Sequence, residues 1–182
     1  MQKFYSSINQ ALKLSEIDNG EATGWTLNGS ARDSEATLKW WNTYLAKYFS
    51  AASVEEVADG VLVKNADGSS FGFYIMGATG IDAVHIVFCV NADGCQKHLD
   101  SNSNKLYDFP LDGKNTFLFV GRNNKIQPYF AEYKDPEKTR DVLLNSSSGY
   151  MPYGCAKSYK AYCAALIEYD GWKIAKDYPI KF

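Results

Sequence analysis

Gly68-Ser69-Ser70-Phe71-Gly72 is a stretch whose residue types could do chemistry. It matches the G-x-S-x-G pattern, in which a tight strand-to-helix turn lifts a serine hydroxyl clear of the sheet as a nucleophile. Asp82 or Asp93, then His98, follow Ser70 in an order that would complete a triad. The pattern carries that meaning only between a strand and a helix. Here it follows an Asp67-Gly68 turn and leads into another apolar run, Phe71-Gly72-Phe73-Tyr74-Ile75. The expectation is therefore a hairpin whose glycines relieve crowding. A small exported hydrolase acting through Ser70 is the alternative, and no residue is otherwise assigned to catalysis.

His85, Cys89, Cys95 and His98 offer four nitrogen or sulfur ligands, the number a tetrahedral zinc site takes. Their spacing matches no compact zinc knuckle, and a Cys89–Cys95 disulfide would remove both thiols. The run from Asn91 to Asn115 is rich in oxygen: Asp93, Asp100, Asp108, Asp112 and Asn115, with carbonyls at Gly94 and Gly113. A calcium ion takes six to eight oxygens, so Asp93, Asp108, Asp112 and Asn115 are its candidate ligands. No EF-hand spacing is present, and a solvated polar loop explains the same composition. Phe4, Trp40, Trp41 and Trp172 could line a carbohydrate-binding surface, but aromatics at helical spacing are assigned to the core. Asn28-Gly29-Ser30 and Asn145-Ser146-Ser147 are formal glycosylation sequons.

The four cysteines form two close pairs, Cys89/Cys95 and Cys155/Cys163. Of the three possible connectivities, the two local loops are favoured, which points to an oxidising compartment. Four reduced cytosolic thiols are the alternative. In 182 residues, 46% hydrophobic and 15% aromatic, the chain has the material for a sizeable core in one domain. The net charge is −2, and the basic residues are spread singly. Phosphate neutralisation needs a basic footprint, so no nucleic-acid partner is expected. The longest apolar run, Ala83 to Val90, is far short of the ~20 residues a membrane helix needs.

These residues have to be positioned by elements that periodicity predicts. Phe4, Ile8, Ala11 and Leu12 form one stripe of a helix over 2–18, ended by Asp18-Asn19-Gly20. No Ser, Thr, Asp or Asn precedes it as a cap. The uncapped start, together with export-type cysteines that follow no signal peptide, suggests a helix that begins upstream of Met1. A second helix is expected over 34–50, with Ser34 as cap and Leu38, Trp41, Leu45 and Phe49 on its apolar face. Strands follow at Val61–Val63, Phe71–Ile75, Ala83–Phe88, Thr116–Val120 and Ile126–Phe130, placing an antiparallel sheet within 60–130. Residues 91–114 and Ser146–Gly149 read as loops, and a short helix as Ser158–Tyr169. Helices first and an antiparallel sheet after give an α+β class.

The tail is more specific. Cys163-Ala164-Ala165-Leu166-Ile167, then Asp170-Gly171-Trp172-Lys173-Ile174, then Asp177-Tyr178-Pro179, resembles the C-terminal end of type IV pilin-like proteins, including the pseudopilins of type II secretion. Lys3-Phe4-Tyr5 through Ala11-Leu12-Lys13-Leu14-Ser15-Glu16 is similar to the exposed half of their long N-terminal helix. Val90-Asn91, then Gly113-Lys114-Asn115-Thr116-Phe117-Leu118-Phe119, resembles their Asp-x-Asn-Gly…Gly-x-Asp-x-Phe-x-Phe segment, with an enlarged loop between.

The resemblance implies a pilin-like fold: a long N-terminal helix on an antiparallel sheet, a second helix before the sheet, a short C-terminal helix, and a disulfide within 155–182. It also implies a precursor with a leader removed by prepilin peptidase and an apolar half-helix that first anchors the subunit in the cytoplasmic membrane. Such half-helices then bundle into a filament core, leaving the heads outside the cytoplasm. Calcium in the loop of major pseudopilins is the property this sequence departs from. Cys89 stands where the first Asp would be and Asn115 where the later one would be, which removes charge a calcium site depends on. The expected function is that of a non-catalytic filament subunit whose partners are other subunits and the membrane assembly machinery. An exported hydrolase and an exported calcium- or carbohydrate-binding module are the alternatives.

Overall fold

A computed structural model describes residues 1–77, 80–101, 103–147 and 151–182. Ser148 and Gly149 of the expected loop lie outside the described residues. The chain is α+β. Among the described residues, six strands form an open antiparallel sheet in the order β1-β2-β3-β4-β5-β6. They are β1 Ser53–Val57, β2 Gly60–Lys64, β3 Ser70–Ile75, β4 Val84–Cys89, β5 Thr116–Arg122 and β6 Lys125–Pro128. The helices are α1 Gln2–Asn19, α2 Ser34–Tyr44, α3 Ala92–Ser101, α4 Arg140–Asn145 and α5 Cys163–Tyr169. Among the described residues, no helix is long and apolar enough to cross a membrane. The chain divides into two compact units: Met1–Phe109 with Val120–Gln127, and Pro110–Phe119 with Pro128–Phe182.

In the first unit, strand register decides which side chains share a face. Phe71 pairs with Val63 and Phe88, and Phe73 with Val61 and Ile86. This apolar face takes the helices. Phe4 of α1 packs on Phe71 and Phe88, each at 4.9 Å between ring centroids, while Trp41 of α2 packs on Phe71 and Phe73. α1 buries Phe4, Ile8, Ala11, Leu12 and Ser15, a stripe at helical spacing. Asn9 on its flank donates to the Ile126 carbonyl and accepts from the Ile126 amide, so one side chain satisfies both backbone groups of an edge-strand residue.

The opposite face carries Ser70, Gly72 and Tyr74 of β3 beside Cys89, Val87 and His85 of β4. It is covered by α3 and by the chain around Leu106. A Cβ at Gly72 would overlap the Leu106 side chain, which is the packing reason for glycine there. The Cys89–Cys95 disulfide fastens the end of β4 to α3.

In the second unit, α4 packs on α5, and Cys155 is bonded to Cys163 at the start of α5. Arg140 holds the following turn in a fork. Its guanidinium donates to both carboxylate oxygens of Asp170 and both of Asp177. The Tyr178 hydroxyl donates to the Gly113 carbonyl.

Several boundaries differ from expectation. The second helix stops at Tyr44 rather than 50, because the amides of Leu45 and Ala46 both converge on the Trp41 carbonyl and the i→i+4 ladder loses its step. Leu45 and Phe49 are still buried, in turns, which is why the apolar pattern reads on past the helix. The sheet starts at Ser53, not 60. Its edge strand β1 carries exposed Glu55 and Glu56, a composition that blunts an edge and hides it from pattern reading. The expected loop over 91–114 contains α3, whose buried stripe is just Cys95 and Leu99. The C-terminal helix starts at Cys163 instead of Ser158, since Lys160 sits in the left-handed region at φ 54°.

Candidate functional site

Ser70 lies inside β3, opposite Cys89, with no solvent exposure. Its hydroxyl has no hydrogen-bond partner among the described residues, so no base stands beside it. Asp82 accepts from the Asn123 amide, in a different part of the unit's backbone. His98 packs on Phe109 at 4.2 Å between ring centroids. Of the proposed zinc ligands, both cysteines are in a disulfide, and His85 stacks against Tyr74. Burial holds the His85 imidazole below its ordinary range; the Ala83 backbone opposes this and the Arg122 charge adds to it.

The four calcium candidates fall in two units. Asp93 is in the first turn of α3 and Asp108 in the loop after it, while Asp112 and Asn115 belong to the second unit. One Asp112 oxygen accepts from the amides of Lys114, Asn115 and Thr116 at 2.8, 2.7 and 2.9 Å, and the other from the Asn115 side chain. Burial would raise this carboxyl, but those donors outweigh it and hold it below the usual range. The carboxylate is thus engaged in closing the turn into β5. Among the described residues, no three His, Cys, Asp or Glu side chains gather as metal ligands. Phe4, Trp40 and Trp41 are buried in the core. Both sequon asparagines, Asn28 and Asn145, are exposed.

Two concave places in the first unit have built geometry. The first is a groove of about 390 Å³ beside α1. Lys3, Ser7, Gln10 and Leu14 of α1 form one wall, and Asn65, Asp67 and Ser69 of the β2–β3 turn the other, with Phe4 and Phe49 between. Lys3 bridges to Asp67 at 3.2 Å. The Ser69 hydroxyl and amide hold the Asp67 carboxyl down at about 2, against a small opposing effect of burial and with help from Lys3. Beyond the groove, Asp18 accepts from Lys47 at 2.6 Å and from the Tyr48 hydroxyl, and these donors lower its carboxyl as well. The groove has a polar rim, where the Ser69 hydroxyl donates to Asp67 at 2.7 Å, and buried aromatic residues, Phe4 and Phe49, in its lining.

The second is a cavity of about 510 Å³ whose walls include Arg32, Asp59, Lys105, Tyr107 and Asp108. Two of its lining residues, Arg32 and Asp108, have left-handed backbone at φ 61° and 62°. A left-handed arginine costs roughly 1–2 kcal/mol and persists only where its surroundings hold it. Here the Arg32 amide donates to the Ile75 carbonyl at 2.7 Å, and the guanidinium lies 4.3 Å over the Tyr107 ring. Asp59 is buried and accepts from the amides of Leu106 and Tyr107 at 2.7 and 2.8 Å, which fixes the segment that carries Tyr107 and Asp108. Sequence reading missed this cavity. Arg32 and Asp108 stand 76 positions apart and belong to no motif, and Asp59 reads as an ordinary turn residue before Gly60.

No curated protein and no solved structure matches the chain. One family model, described as Family of unknown function (DUF6613), matches residues 1–182, and the chain belongs to that family.

Proposed function

We propose that this chain is the head of a non-catalytic filament subunit of the type IV pilin-like class, working outside the cytoplasm. The observation that carries the reading is α1: an 18-residue amphipathic helix laid on the apolar face of an antiparallel sheet. Its inner stripe is buried, while Leu14 and Ile17 remain 44% and 78% exposed. A helix fixed in this way can carry load from a membrane-inserted or bundled continuation to a rigid head. The two disulfides support an oxidising compartment. The tail resemblance is supported by its local structure, where α5, the Cys155–Cys163 bond and the Arg140 fork form one tied segment.

The partners are other copies or related subunits, with prepilin peptidase and the assembly machinery acting on a membrane-anchored precursor. The gene upstream of Met1 should then encode a short basic leader and about 20 apolar residues with a glutamate near their start. Filaments sheared from the cell surface and sedimented should contain the chain as covalent multimers after cross-linking. An upstream sequence without such a segment, or a chain recovered as monomer alone, overturns the proposal.

A further inference from the structure

Arg32 and Asp108 bring opposite charges to one cavity without pairing with each other. Among the described residues, the Arg32 guanidinium has a ring contact with Tyr107 but no carboxylate partner, and the Asp108 carboxylate has no donor. The buried carboxylate of the lining, Asp59, accepts from the amides of Leu106 and Tyr107, and among the described residues it forms no ion pair with Arg32. Both residues, Arg32 and Asp108, line the cavity, and both have left-handed backbone. The left-handed arginine, held at the wall of a concavity of about 510 Å³, is the kind of strain that points to a site for a ligand.

We propose that this cavity binds a small zwitterion carrying a carboxylate and an ammonium group. The carboxylate pairs with the fork of Arg32, which lies 4.3 Å over the Tyr107 ring. The ammonium donates to Asp108. An anion alone would sit beside Asp108, and a cation alone beside Arg32 and Lys105. A ligand with both charges leaves neither protein charge facing its like.

The test is isothermal titration of the oxidised chain, at low salt, with glycine, 4-aminobutanoate and 6-aminohexanoate. These span a range of charge separations. Butanoate and butylamine serve as single-charge analogues. At least one zwitterion should bind ten times more tightly than both analogues. Arg32→Gln and Asp108→Asn should each weaken that zwitterion about tenfold or more, as expected for loss of a charge-assisted hydrogen bond. Asparagine accepts the left-handed backbone readily, so Asp108→Asn keeps the fold, and an unchanged melting curve verifies this. Absence of saturable binding by every zwitterion overturns the proposal, as does equal binding of butanoate or undiminished binding by both variants. Such a failure would leave the filament reading intact, since neither residue lies on α1.

Discussion

Asp59 illustrates how much a single buried carboxylate can organise. Its two oxygens hold the amides of Leu106 and Tyr107, 47 and 48 positions away, and so fix the chain that covers the second face of the sheet. Asp59→Ala would leave both amides without their acceptor and should lower stability by roughly 2–4 kcal/mol in a urea titration. Asp59→Asn, which keeps one acceptor, should lose less. His85 makes a prediction about pH. Its folded pKa lies below its ordinary value because of burial, and His98 is shifted the same way for the same reason. The unfolded chain therefore binds more protons than the folded one below about 6.5, and stability should fall as pH drops from 7 towards 5. His85→Gln should flatten that slope in denaturation series at several pH values. An unchanged slope would place the effect elsewhere. Asp67, held at about 2, acts in a separate window, with its contribution lost as pH falls from about 4 to 2.

Among the elements, those with a strong period were legible in the sequence. α1 and strands β2 to β6 fall close to where apolar spacing puts them, because each buries a face and the burial writes the pattern. Elements with little to bury were not legible. β1 shows charge because it is an edge, α3 has two buried residues, and the six residues of α4 are too few to show a period. The candidate sites fared differently again. Ser70 and the Asp112 loop were visible as motifs, yet one is an interior strand residue and the other a turn-closing carboxylate. The Arg32 cavity had no motif to show, since left-handed backbone and a ring contact leave no mark on spacing. The Cys89–Cys95 bond is the attachment that most affects an element. Replacing both cysteines by serine should cost roughly 2–3 kcal/mol by loop-closure entropy. The loss should be local first, with hydrogen exchange over Ala92–Ser101 rising before that of β2 to β4.

At the scale of the whole molecule, the outward side of α1 is where head and filament readings meet. Leu14→Lys with Ile17→Lys should leave the melting temperature of the isolated chain nearly unchanged, since both side chains are exposed. If the chain polymerises as proposed, the same pair should reduce the polymer recovered from sheared cells by a large factor, and normal polymer yield would remove α1 from the contact. A different consequence follows from the path of the chain through its two units. The first is completed by Val120–Gln127 and the second is opened by Pro110–Phe119, so each is built from segments that interrupt the other. A head crossing a membrane in chain order would at one stage have β4 outside and β5 still inside, presenting the Val84–Cys89 edge bare. Nor can the second unit close until α5 has followed. A chain exported in this order would have a vulnerable interval, in which an unpaired strand waits for its neighbour and a chaperone at the exit would have the most to shield.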